Sequence, residues 1–141
     1  MKSIFITGGA GFIGNNAARY FNKKNWKVYV FDNLSRNGSS SNIRLLLKET
    51  NIKFIKGDIK KFKKLSKEIA KIKPNVILHC AGQVAVTTSI IDPRDDFENN
   101  AMGTFNVLES IRLNKLKSTL IYTSTNKVYG NLESDKIKIF K

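Results

Sequence analysis

The sequence predicts an α/β fold: a doubly wound parallel sheet of five strands in the order 3-2-1-4-5. Three observations predict it. Short β-branched runs alternate with amphipathic stretches along all but the last few of the 141 residues. Helical crossovers separate the strands, which sets them parallel with helices on both faces. A glycine-rich loop follows the first strand and opens the first helix.

Residues 3–7 (Ser-Ile-Phe-Ile-Thr) form the first strand. Residues 8–14 are a loop opening into a helix, with Ile13, Ala17, Ala18 and Phe21 on one face. Residues 27–31 are the second strand, followed by an Asn/Ser/Gly-rich loop at 32–41 and a short helix at 42–49. The third strand is 52–55, and an amphipathic helix at 61–72 is stopped by Pro74. The fourth strand is 75–80. A long loop then leads to a helix at 95–113, with Phe105, Leu108 and Ile111 facing inward, and to a fifth strand at 118–124. After Gly130 the pattern stops: residues 131–141 are polar and basic, with one weak alternation at Ile137-Lys138-Ile139. The expected organisation is one domain over 1–130 and a tail over 131–141, with no repeat and no interdomain linker.

Composition limits the partners. Hydrophobic residues are 41% and charged residues 26%, as in folded soluble domains. No apolar run reaches the roughly 20 residues that span a bilayer. The short run Ile4-Phe5-Ile6 enters the glycine loop with no cleavage site, so no signal peptide is expected. The single cysteine, Cys80, excludes an internal disulfide and a cysteine metal cage, and no metal site is expected. The expected location is the cytoplasm. The net charge of +14 raises nucleic acid as a partner. Yet Lys60, Lys61, Lys63, Lys64, Lys67 and Lys71 sit on helix faces without interleaved aromatics for base stacking. They read as a solvated face, so neither nucleic acid nor membrane is expected as a partner.

The chemistry sits in the loop Thr7-Gly8-Gly9-Ala10-Gly11-Phe12-Ile13-Gly14. Gly8 lets the chain turn off the first strand, Gly11 has no side chain to hold a pyrophosphate away, and Gly14 lets the helix approach the sheet. Behind them the helix N-terminus, at Phe12 and Ile13, offers unpaired N–H groups and a partial positive charge to phosphates. The alternative is a plain strand–helix turn, but position between first strand and first helix favours a dinucleotide site. Asp32 ends the second strand eighteen residues after Gly14. A carboxylate there accepts ribose hydroxyls and repels a 2′-phosphate, favouring NAD over NADP. The alternatives are a turn made by Asp32-Asn33 and an NADP site using Arg36. Asp58, beside Ile59 and after Gly57, is either an acceptor for an adenine amino group or an N-cap.

From Gly8 to Gly130 the chain resembles the extended short-chain dehydrogenase/reductases, the NAD-dependent sugar-nucleotide epimerases and dehydratases of Rossmann fold. The resemblance rests on the glycine spacing, His79-Cys80-Ala81-Gly82, Asn100-x-x-Gly103-Thr104, and Thr123-Ser124-Thr125 ahead of Val128-Tyr129-Gly130. Within the family, residues 31–36, 81–89 and 124–130 resemble members that act on a CDP-linked deoxyhexose. The resemblance implies a tightly held NAD, oxidation of a sugar hydroxyl to a ketone, and return of the hydride to the opposite face. It implies that Thr125 polarises the reacting sugar oxygen and that Ala81, Gly82 and Gln83 line the nicotinamide ribose. It further implies that Asn100 fixes the backbone after the fourth strand, while Thr88 and Ser89 face the substrate. Plainer alternatives are a backbone-bonded strand-end Thr125, a purely structural Asn100, and core roles for His79 and Cys80. A homo-oligomer is compatible with the family.

The family's acid/base pair is Tyr-x-x-x-Lys on a later helix. In this sequence the only such spacing is Tyr20 to Lys24 on the first helix, and Tyr129 is followed four residues on by Glu133. The expectation is the cofactor part of an epimerase cut short before its substrate part, inactive alone and with uncovered sheet edge.

Overall fold

The computed structural model describes residues 1–125. The motif 128–130, the Asn126-Lys127 pair, the boundary at 130 and the tail at 131–141 lie outside the described residues.

The sheet is five-stranded, parallel, and ordered β3-β2-β1-β4-β5. The strands are β1 (Ser3–Thr7), β2 (Lys27–Asp32), β3 (Lys53–Lys56), β4 (Val76–His79) and β5 (Thr119–Tyr122). The central strand β1 explains why its run is apolar without interruption. Alternate side chains point to opposite faces of a strand. Ile4 and Ile6 therefore pack with Ala18, Ile43 and Leu46 under α1 (Phe12–Lys23) and α2 (Ser39–Glu49). Phe5 packs on the other face with Leu65 and Ile69 of α3 (Phe62–Ile72) and with Val107. Two layers of helix thus cover one sheet, which is the doubly wound architecture.

Three readings need correction. The stretch read as a long loop contains the short helix α4 (Val86–Ile91). The stretch read as one helix at 95–113 is α5 (Pro93–Phe97), a π-turn (Glu98–Met102) and α6 (Gly103–Leu113). The wider π-turn offsets the helical phase, so the inner face of α6 is Gly103, Asn106, Val107 and Ser110. Phe105 and Leu108 stay 54% and 49% exposed, while Ile111 does pack on the core. Polar residues face inward because they are bonded: Asn106 Nδ2 donates to the Ile59 carbonyl at 2.8 Å and Ser110 Oγ to the Asn106 carbonyl at 2.6 Å. On α1, Ala18 is buried and Ala17 and Phe21 pack on the core, but Ile13 is 56% exposed at the helix start.

Among the described residues no helix is long and apolar enough to cross a membrane.

Candidate functional site

Chain order reverses beside β1: the next strand in sequence is β2 on one side, and β4 lies on the other. In open parallel sheets such a point leaves a crevice at the carboxyl ends of the strands. A cleft of about 300 Å³ opens there. Its floor is Gly8, Gly11, Phe12, Ile13 and Gly14. Asp32, Asn33 and Ile59 line the side of β2 and β3, and Ala81 and Gly82 line the side of β4. The sequence-read residues Asp58, Gln83, Asn100, Thr88, Ser89 and Thr125 are not part of the lining.

The glycines divide by what surrounds them. Gly8 sits at φ +67°, and a Cβ there would lie 2.6 Å from the backbone nitrogen of Ala81. A Cβ on Gly14 would lie 2.5 Å from the Gly8 carbonyl oxygen, so this glycine serves the close approach of α1 to the loop itself. Gly11 differs. Its φ of −76° suits any residue, and a Cβ would meet only the Gly8 carbonyl oxygen, at 3.2 Å. Its lack of side chain keeps the cleft floor low rather than relieving the fold. The floor also carries the first turn of α1, whose N-cap Gly11 offers no side-chain bond to the free N–H groups.

The wall at β2 is tied to this floor by one carboxylate. Asp32 Oδ2 accepts from the Ala10 N–H at 3.0 Å, and Oδ1 accepts from the Leu34 N–H at 2.8 Å. The second bond holds Leu34 at φ +61°, a region that side chains other than glycine rarely adopt. Asn42 of α2 adds a bond from Nδ2 to the Ala10 carbonyl at 2.9 Å. Asn33 Nδ2 donates to Asp58 Oδ2 at 3.2 Å, while Asp58 Oδ1 accepts from the Lys60 N–H at 2.8 Å. Asp58 is therefore not the N-cap of α3: Lys61 holds that position, without a side-chain bond. The aspartate closes a turn just before the helix and supports Asn33.

On the other side, Asn100 clips the loop after β4, donating from Nδ2 to the Gln83 carbonyl and accepting the Gln83 N–H at Oδ1. Gln83 Oε1 accepts from the N–H groups of Val84 and Ala85. Ser89 Oγ donates to Asp96 Oδ1 at 2.7 Å and is half-buried, whereas Thr88 is exposed on α4. His79 is fully buried between the hydroxyls of Thr7 and Thr104, and burial pushes its pKa down to about 4. Cys80 is half-buried at the cleft, and burial pushes its thiol up against the opposing effect of a bond with Thr123. His79 thus belongs to the framework, while Cys80 packs on the core and also borders the cleft. Thr125 is exposed three residues beyond β5, at the carboxyl edge of the sheet. Tyr20 and Lys24 lie near the far end of α1, with the ammonium 5.8 Å from the ring centroid. That end lies away from the cleft floor.

The lining also includes Ser35, Ser39, Gly57, Val84 and Asn99, which sequence reasoning missed, and Arg36, which it weighed for a 2′-phosphate. Gly57 carried a signal: a glycine directly after a parallel strand marks a close approach, and a Cβ there would lie 2.4 Å from the Phe31 ring. Asn99 carried none, because the π-turn that presents it interrupts what reads as a continuous helix.

A switch-point cleft floored by a glycine loop and walled by an acid after β2 defines the class: a nucleotide-binding α/β domain with dinucleotide-type geometry. Residues 5–139 match the model of the GDP-mannose 4,6 dehydratase family, and the chain belongs to that family, among the extended short-chain dehydrogenase/reductases. It is 45% identical over 133 residues to the CDP-paratose 2-epimerase of Salmonella typhi, covering 94% of this chain and 39% of that protein. It is 40% identical over 133 residues to the dTDP-D-glucose 4,6-dehydratase of Dictyostelium discoideum, covering 93% of this chain and 30% of that one. The solved UDP-glucose 4-epimerase of Brucella ovis in complex with NAD superposes with a TM-score of 0.81 at 30% identity, over 93% of this chain and 38% of that one. The chain therefore spans about two fifths or less of the length of these relatives.

Proposed function

We propose that this chain is the NAD-binding part of a sugar-nucleotide epimerase acting on a CDP-linked deoxyhexose, of the CDP-paratose 2-epimerase type. The observation that carries the reading is the continuity of the cleft from Asp32 and Asn33, over Gly11, to Ala81 and Gly82. A glycine floor with an acid on one side and small residues on the other suits a dinucleotide. Asp32 keeps lone pairs for ribose hydroxyls, Gly11 leaves room for a pyrophosphate, and the α1 N-terminus offers it N–H groups. Ala81 and Gly82 give the nicotinamide half a wall without bulky side chains, and Asp58 steadies the adenine side through Asn33. The higher identity to the CDP-paratose enzyme than to the dTDP-glucose dehydratase supports the choice of sugar.

Bound in this cleft, NAD would supply the acceptor for a hydride from a sugar carbinol carbon and would be able to give it back to the opposite face. Thr125, at the carboxyl edge beyond β5, donates a hydrogen bond to the sugar oxygen as the carbonyl forms. Thr88 and Ser89 contribute to the sugar side. The hydroxyl proton must leave to a base, and Tyr20 and Lys24 sit too far from the cleft for that task. A second reading, NAD binding without turnover, draws on that placement. Both readings put the protein in the cytoplasm, where NAD and sugar nucleotides are found together.

The test is calorimetric titration of NAD into the 141-residue chain, with a chromatographic assay on CDP-paratose beside a chain extended through a downstream Tyr-x-x-x-Lys. The expected result is NAD binding by both and turnover by the extended chain only. Absence of NAD binding by both overturns the proposal. Turnover by the short chain that survives Tyr20→Phe overturns the role assigned to the downstream pair.

A further inference from the structure

A buried histidine at the end of an interior strand needs a partner for each ring nitrogen, and one partner of His79 sets the direction of both bonds. Thr104 Oγ1 donates its one proton to the Asn100 carbonyl at 2.6 Å. Toward His79 Nε2, 3.0 Å away, that oxygen can only accept, so Nε2 carries hydrogen. At the other end the Ala81 N–H can only donate, and it meets Thr7 Oγ1 at 3.3 Å. That bond leaves the Thr7 proton available to His79 Nδ1, 2.5 Å away, which is bare once Nε2 carries the hydrogen. The Thr104 end sets the tautomer, and the Thr7 end accommodates it. The chain runs from the Ala81 N–H through Thr7, the imidazole and Thr104 to the carbonyl of Asn100, whose side chain clips Gln83.

We propose that His79 is a positioning residue: in its Nε2–H tautomer it joins the two anchors of residues 81–83 and holds that segment as the cleft wall. Ala81 is fixed by Thr7 at one end and Gln83 by Asn100 at the other, and the imidazole links those anchors with a direction. The ring's surroundings keep it neutral. It is fully buried, its nitrogens face the two threonine hydroxyls, and the Tyr122 ring stacks on it at 5.5 Å between centroids. The low pKa given above agrees with this environment. The consequence for NAD affinity rests on the function proposed above; the ordering of the wall does not.

Nitrogen-15 NMR of the imidazole in the 141-residue chain is the first measurement. The expected spectrum has a protonated Nε2 and a bare Nδ1, unchanged between pH 8 and pH 5.5. An Nδ1–H tautomer, or a ring titrating near pH 6.5, overturns the proposal. The second measurement is amide hydrogen exchange at Ala81 and Gln83 in Thr104→Val and Thr104→Ser. The valine removes the hydroxyl at constant size, and exchange at Ala81 is expected to rise about tenfold, the scale of one lost buried hydrogen bond. The serine keeps the hydroxyl and is expected to stay near wild type. Equal behaviour of the two variants, or a rise at Gln83 alone, overturns the proposal. If wild type gives the expected tautomer and exchange pattern but no NAD binding, the functional reading fails while the role of His79 stands.

Discussion

Asn100 holds Gln83 by both of its backbone polar groups, accepting the N–H at 2.8 Å and donating to the carbonyl at 3.0 Å. A single side-chain amide here does what a neighbouring strand would do elsewhere, and it spans 17 residues of sequence. Asn100→Asp keeps the acceptor, loses the donor, and places a second carboxylate near Asp96 Oδ1, which now accepts from Nδ2 at 3.1 Å. The expected cost is about 2–3 kcal/mol of stability, from an unmet carbonyl and like-charge repulsion. Urea unfolding at pH 7 measures it. Recovery toward wild type at pH 4 would identify the repulsion as part of the loss.

The floor glycines give opposite phenotypes on substitution. Gly11→Val is expected to fold and to lose NAD binding, because its backbone is ordinary and its side chain enters the cleft. Gly14→Ala is expected to destabilise the fold by several kcal/mol, because its Cβ would meet backbone at 2.5 and 2.6 Å. Thermal melts and NAD titration of both proteins separate the cases. Unchanged NAD affinity in a folded Gly11→Val would remove the pyrophosphate from this loop.

Asp32 has two jobs that substitution can separate. Asp32→Asn keeps the size of the side chain and removes the charge, so a wild-type preference for NAD over NADP is expected to narrow. Asp32→Ala strips the acceptor from the N–H groups of Ala10 and Leu34 as well, and is expected to lower stability by a further 1–3 kcal/mol, roughly. Paired titrations with NAD and NADP decide the first point. Wild type binding NADP as tightly as NAD would refute the ribose assignment.

Acid weakens the fold through His79. The folded chain keeps the ring neutral down to about pH 4, while the unfolded chain protonates it near 6.5. Between these values the unfolded state binds more protons, so stability falls as pH drops from about 6.5 to about 4. The full effect is about 3 kcal/mol. Urea midpoints at pH 7 and pH 4.5 for wild type and His79→Leu measure it, and the leucine variant is expected to lose less on acidification. Parallel slopes for the two proteins contradict the neutral-ring account.

Strands, sheet order and the glycine floor were legible because each follows from local chemistry. Ile4, Phe5 and Ile6 announce a strand buried on both faces, and only a glycine serves at position 8, with its positive φ and its contact with Ala81. The face of α6 was not legible. Its inward side is built from Gly103, Asn106 and Ser110, whose polar groups are satisfied by partners remote in sequence or one turn away. Hydrophobic periodicity therefore selected Phe105 and Leu108, which remain exposed. In the site, residues that border the cleft were readable from strand ends, while the clips and the threonine–histidine chain depend on partners 72 and 25 residues apart.

The strand order also imposes a schedule on assembly. β1 meets β2 across 24 residues, Ser3 beside Lys27, but meets β4 across 72, Ile4 beside Val76. Closing the longer loop costs about 1 kcal/mol more in chain entropy. The residues of the half of the cleft carrying Asp32 all precede β4 in the chain, whereas the wall at Ala81 joins the floor only through the longer closure.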